Sequence, residues 1–170
     1  MSDSVQEPED RPLADNREVV RVLAAIASLL EFRDDNPFKI RSYRLAAETI
    51  EDMHTSLTEM IAGGKVIELQ QIPGVGKSIS AQIAEILITG TSRYFEQLKK
   101  EIPETVLELF KVPGIGLKTA QLLYRDFGIK SLQDLKAFAD GDGLLSVTGL
   151  GEKVIIKIKS SLNNFFPPSD

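Results

Sequence analysis

One short pattern occurs three times along the chain and limits what it can become. It reads Ile72-Pro73-Gly74-Val75-Gly76-Lys77, then Val112-Pro113-Gly114-Ile115-Gly116-Leu117-Lys118, then Val147-Thr148-Gly149-Leu150-Gly151-Glu152-Lys153. Each copy has an apolar residue, a turn residue and Gly-apolar-Gly, with a Lys at most two positions on. The copies stand 40 and 35 residues apart, too uneven for a solenoid. Short helical segments precede them at 66–71, 104–111 and 144–147. Amphipathic helices follow, carried by Ile79, Ile83, Ile86 and Leu87, by Ala120, Leu122, Leu123 and Phe127, and by Val154, Ile155, Ile158 and Leu162. Strand-like alternation is absent, so the chain is expected to be all-α.

Upstream, Val19, Val22, Leu23, Ile26, Leu29 and Leu30 recur at helical spacing. They predict a helix to about residue 33 that starts at an Asp15/Glu18 capping box. Pro37 interrupts, and Ile40, Tyr43, Ala47 and Ile50 predict a second helix over 39–53. A third, at 56–62, is stopped by Gly63-Gly64, and Ser131 with Asp134 caps a connector helix to about 139. The expected division is a disordered acidic tail at 1–14, a helical bundle with one hairpin at 15–100, a paired-hairpin unit at 101–165, and a tail at 166–170.

A Gly-apolar-Gly turn between helices has a definite use. The glycines permit positive φ and close backbone approach, while Val75, Ile115 or Leu150 anchors the turn in the core. Backbone N–H groups are left free where the second helix begins and its macrodipole is positive, which suits a phosphate. Lys77, Lys118 and Lys153 add a point charge there. Gly74, Gly76, Gly114, Gly116, Gly149 and Gly151 are therefore candidate nucleic-acid contacts. Thr148 in place of Pro and the adjacent Glu152 weaken the third copy.

Composition narrows the chemistry. With no Cys and only His54, the 170-residue chain offers no thiolate site, no histidine metal cluster and no histidine pair for proton relay. Its formal charge is −5, but residues 1–16 hold five acids against Arg11 alone, leaving about one net negative charge on the rest. No membrane span or signal peptide is expected, and a cytoplasmic location is. Gly74-Val75-Gly76-Lys77-Ser78 ends like a Walker A loop, but Gln71 stands where that motif needs Gly. Asp140-Gly141-Asp142 is expected to be a turn, His54 a surface residue, and Tyr94, Phe95, Phe165 and Phe166 packing residues.

The three turns resemble helix-hairpin-helix motifs. Asn36-Pro37-Phe38-Lys39-Ile40-Arg41-Ser42-Tyr43-Arg44-Leu45-Ala46-Ala47, followed by the first hairpin, resembles the N-terminal 8 kDa domain of family X DNA polymerases. The region from about Glu101 to Leu162 is similar to the tandem-hairpin subdomain of bacterial members. The resemblance implies that Lys39 and Tyr43 hold the 5′-phosphate at a DNA gap. The uninterrupted Lys39, Arg41 and Arg44 support such a contact from composition alone. It also implies a monovalent cation, Na+ or K+, at the carbonyls of Gln70, Ile72 and Val75, and of Phe110, Val112 and Ile115. No other cofactor is expected.

Two departures shape the functional expectation. Some members are lyases that use a Lys nine residues after the hairpin Pro. That position is Gln82, whose amide cannot act as an amine nucleophile, and a neighbouring cationic position is Ser78. The Asp-bearing palm would begin where this sequence stops, near Pro167-Pro168. The expectation is a non-enzymatic, structure-dependent binder of gapped, nicked or ended DNA duplexes in DNA repair. Nucleoid association and a repair-protein partner accompany it. The alternative is the N-terminal DNA-binding part of a family X polymerase whose palm is not in this chain, and a third is a protein-interaction module.

Overall fold

A computed structural model describes residues 14–168. The acidic segment 1–13 and residues 169–170, including most of the expected tails, lie outside the described residues. The described chain is helical. Helices α1 (Ala14–Phe32), α2 (Pro37–Glu51), α3 (Leu57–Ile61), α4 (Lys77–Thr89), α5 (Arg93–Glu101), α6 (Leu117–Phe127), α7 (Leu132–Asp140) and α8 (Glu152–Phe165) follow one another. Three 310 helices, Val66–Gln71, Glu104–Lys111 and Gly143–Ser146, each lead into a glycine turn. The chain divides into two compact units between Leu98 and Lys99, within α5. No described helix is long and apolar enough to cross a membrane.

In the first unit α1 is the central element. Val19, Val22, Leu23, Ile26, Leu29 and Leu30 are fully buried, and the helix packs mainly on α2, with α3 and α4 beside it. Each such side chain contributes roughly 1.5–3 kcal/mol of transfer free energy. Two starts differ from expectation. Asp15 lies inside α1 rather than capping it: its carboxylate accepts from Thr58 Oγ1 at 2.7 Å, and Glu18 pairs with Arg21 at 2.8 Å. Pro37 opens α2 instead of preceding it, because a proline at the first helical position gives up an N–H that has no partner there anyway. The sequence reading named no helix over α5, which buries Phe95 and Leu98.

In the second unit α7 packs against α8, the 310 helix Gly143–Ser146 and the 310 helix Glu104–Lys111. Ile155, Ile158 and Leu162 form the buried face of α8, and the rings of Phe127 and Phe138 meet at 4.9 Å. Asp140 ends α7 and Asp142 takes a left-handed φ of 60°, so the Asp-Gly-Asp segment is the expected turn. Phe165 is exposed, contrary to its expected packing role.

The first glycine of each hairpin turns left-handed, with φ of 86° at Gly74, 97° at Gly114 and 88° at Gly149. Their surroundings differ. A Cβ at Gly74 would stand 2.7 Å from Ala46 N and 2.9 Å from Ser42 O, both backbone atoms of α2. At Gly149 a Cβ would meet nothing within 4 Å. Gly74→Ala is therefore expected to destabilise by about 2 kcal/mol or more, combining backbone strain with displacement of α2. Gly149→Ala pays for backbone strain alone, about 1 kcal/mol. Urea unfolding of the two variants beside the wild type checks this order, and equal costs would contradict it.

Candidate nucleic-acid interface

The three 310 helices begin without a side-chain cap. The starts of the seven α-helices from α2 to α8 fall into two groups. Four are closed by a side chain. Asn36 Oδ1 accepts from Phe38 N at 2.9 Å, Ser56 Oγ from Glu59 N at 3.3 Å, Ser92 Oγ from Phe95 N at 3.1 Å, and Ser131 Oγ from Asp134 N at 3.1 Å. By contrast α4, α6 and α8 begin at Gly76, Gly116 and Gly151 with no side-chain cap. These glycines have φ of −94°, −97° and −78°, open to any residue, and a Cβ on each would meet nothing within 4 Å. Nothing inside the fold requires glycine there. What it leaves is a bare row of amides at the positive end of a helix, accessible from outside.

The three hairpins are not equivalent. Val75 and Ile115 are buried, as expected of anchors, whereas Leu150 is only half-buried. Lys77 is the first residue of α4, but Lys118 and Lys153 are second in α6 and α8, one helical step round. All three lysines are exposed. Glu152 fills the first position of α8, where its own charge already complements the dipole.

Helix α2 brings the remaining candidates to the first unit. Lys39 and Tyr43 are four residues apart and so share a face. The Lys39 ammonium lies 4.7 Å from the centroid of the Tyr94 ring, and the rings of Tyr43 and Tyr94 stack at 6.2 Å with 11° between planes. Arg41 lies over Phe38 at 5.6 Å, and Phe38 itself is exposed. Arg44 is ion-paired with Glu31 of α1, so the acid-free stretch of sequence is not acid-free in space. Asp35 is held below its ordinary 3.8 chiefly by the Arg33 hydrogen bond and the Asn36 N–H, with the Lys39 charge a smaller cause.

Behind this face lies a buried polar chain. Gln82 Nε2 donates to Tyr43 Oη at 2.6 Å, and Ser92 Oγ donates to Gln82 Oε1 at 3.3 Å. Gln82 thus spends both ends of its amide inside the protein. Tyr94 Oη is also buried and, among the described residues, has no hydrogen-bond partner. Sequence reasoning assigned Tyr94 to packing and missed Ser92 and Glu31. One available signal was Gln82 itself, a polar residue among Ile79, Ile83 and Ile86 on the buried side of α4, which needs partners. The carbonyls of Ile72 and Val112 accept from Val75 N at 2.9 Å and Ile115 N at 3.1 Å. Each of these carbonyl oxygens retains a second lone pair. Among the described residues no group of three or more His, Cys, Asp or Glu could hold a metal ion.

Burial pushes the Tyr43 phenol from 10.0 to about 12, with Gln82 donation offsetting part of the shift and neighbouring Tyr94 adding to it. The folded chain keeps this proton more tightly than the unfolded chain. Its stabilising contribution is complete below pH 10 and is lost as pH rises through about 12. Over that interval the wild type is expected to lose stability faster than Tyr43→Phe, read as urea midpoints at stepped pH. Parallel slopes would contradict the assignment.

Comparison with known proteins fits this geometry. Residues 14–92 match the model of a helix-hairpin-helix domain, and residues 106–164 that of a SAM-like helix-hairpin-helix tandem. The chain is 33% identical over 146 residues to the DNA polymerase/3′-5′ exonuclease PolX of Bacillus subtilis, covering 86% of this chain and 25% of that protein. It is 29% identical over 125 residues to DNA polymerase lambda of Rattus norvegicus, covering 73% of this chain and 20% of that protein. With DNA polymerase lambda of Arabidopsis thaliana it shares 28% over 162 residues, 95% of this chain and 28% of that protein. The chain therefore spans about a quarter of the length of the curated relatives it matches. Two helix-hairpin-helix modules account for most of the described residues, and the chain is similar to the N-terminal region of family X DNA polymerases.

Proposed function

We propose that this chain is a non-enzymatic DNA-binding protein that grips backbone phosphates through its hairpins and acts in DNA repair at gaps, nicks or ends. The observation that carries the reading is the division of helix starts. Helices α2, α3, α5 and α7 start under an Asn or Ser side chain, while the three after Gly76, Gly116 and Gly151 have no side-chain cap. Backbone amides at those positions are free to donate to an anion from outside, and Lys77, Lys118 and Lys153 stand beside them. The relatives are DNA polymerases by name, which supports DNA as the polyanion. Such contacts read phosphate spacing rather than base sequence.

In the first unit, Lys39 holds a 5′-phosphate at a gap beside the exposed Arg41, while Tyr43, buried and bonded to Gln82, supports the face from behind rather than touching the phosphate. A monovalent cation at the carbonyls of Gln70, Ile72 and Val75, and of Phe110, Val112 and Ile115, would add positive charge at the two hairpins. Gln82, bonded at both ends and lacking an amine, supports binding without lyase chemistry. The second reading is the DNA-binding arm of a family X polymerase, favoured by the 33% identity to PolX. Reading the coding frame past Asp170 separates the two: a following hydrophobic strand that carries Asp-x-Asp would favour the polymerase arm.

Gel shifts with intact, nicked and gapped duplexes, with and without a 5′-phosphate, test the binding directly. The 5′-phosphorylated gap is expected to bind tightest, and no binding to any of them at low salt would overturn the reading. Six cations (Lys39, Arg41, Arg44, Lys77, Lys118, Lys153) each neutralising one phosphate give a log–log salt slope of roughly −5. Arg44 must leave Glu31 to take part, so a slope nearer about −4 is also consistent, and a flat response is not.

Gly76→Val is expected to lower stability by only about 1 kcal/mol, as a poorer cap. It should nevertheless weaken DNA binding by about tenfold or more, because the side chain covers the bare amides. Gel shifts paired with urea melts of the variant check both halves.

A further inference from the structure

We propose that Tyr94 is a positioning residue for Lys39: its ring face fixes the ammonium that selects a phosphorylated 5′ end. This rests on the reading of Lys39 as the contact to a 5′-phosphate. Lys39 has four rotatable side-chain bonds and, among the described residues, no close ion pair; Asp35 attracts its charge only weakly, as a smaller cause of that carboxyl's shift. What holds it is the Tyr94 ring, 4.7 Å away. A ring face attracts a cation without neutralising it, as a carboxylate would, so the charge stays available to a phosphate.

Tyr94 is in turn fixed from behind. It stacks on Tyr43, whose hydroxyl accepts from Gln82, and Gln82 accepts from Ser92. Ser92 also caps the helix that carries Tyr94, through Phe95 N. Lys39 and Tyr43 from α2 are thereby tied to α4 and α5 by one chain of contacts. Among the described residues the Tyr94 hydroxyl makes no hydrogen bond, and the contacts with Lys39 and Tyr43 are made by the ring. The positioning role belongs to the ring alone.

That division gives the test. Dissociation constants are measured for a one-nucleotide gap carrying a 5′-phosphate and for the same gap carrying a 5′-hydroxyl. The readout is their ratio, taken for the wild type, Tyr94→Phe, Tyr94→Met and Lys39→Gln, with circular dichroism and a thermal melt on each. Tyr94→Phe should keep the wild-type ratio, and Tyr94→Met should lower it by about fivefold with hydroxyl-gap affinity unchanged. Tyr94→Met added to Lys39→Gln should lower it no further.

A second readout needs neither DNA nor the Met variant. The Lys39 ε-methylene proton resonances should be shifted upfield by the ring in the wild type and in Tyr94→Phe. Absence of that shift in the wild type overturns the proposal. An undiminished ratio in Tyr94→Met, or an equal fall in both gap affinities, also overturns it. A wild-type ratio of one, with the upfield shift present, instead removes the 5′-phosphate reading on which the proposal stands.

Discussion

The first unit depends on a contact in which a side chain has no room. Gly74 lies so near the backbone of α2 at Ser42 and Ala46 that even a methyl group would force the two apart. That approach seats the first hairpin directly on the helix carrying Lys39 and Tyr43. It places the bare start of α4 and the cationic face of α2 in one rigid body, although more than thirty residues separate Lys39 from Lys77 in sequence. Without it, α4 would not bring Gln82 to the Tyr43 hydroxyl, and the polar chain through Ser92 would lose its first link. The corresponding Gly114 meets side chains of α8, Val154 and Ile158, which can yield by a few tenths of an ångström. Backbone atoms cannot yield in that way, so the first hairpin is the more tightly specified of the two.

The helices were legible because their signals are local. Apolar spacing marks α1, α2, α4, α6 and α8, and the Ser131/Asp134 pair marks α7. Where local signals compete, the sequence misleads. Asp15 with Glu18 has the form of a capping box, yet Asp15 instead accepts from Thr58 across the unit, a partner 43 residues away. Pro37 can break a helix or begin one, and only the Asn36 cap, bonded to Phe38 N, decides that it begins one. Helix α5 is short but strongly one-sided, with Phe95 and Leu98 at helical spacing in a polar stretch, a signal present in the sequence and passed over.

The candidate site was legible in its residue types and not in its connections. Glycines, lysines and the Lys39–Tyr43 pair can be named from spacing, since hairpin geometry and helix faces repeat. Which cations are already engaged cannot be, because Glu31 reaches Arg44 from another helix. The same holds for Gln82. Sequence shows that an amine is missing there, but only packing shows that the amide closes a hydrogen-bonded chain with Tyr43 and Ser92. The third hairpin departs from the other two as its Thr148 and Glu152 suggest, and its half-buried Leu150 extends the difference into the core.

The bare starts of α4, α6 and α8 have a consequence for how the free protein behaves in water. Amides with no partner inside the chain are open to exchange with solvent, while those deeper in the same helices are closed off by their own hydrogen bonds. Three short clusters of fast-exchanging protons thus sit at the head of otherwise protected helices. Any anion that occupies a hairpin must slow that cluster and leave the capped starts of α2, α3, α5 and α7 as they were. The protein carries in its own backbone a separate reporter of occupancy for each hairpin.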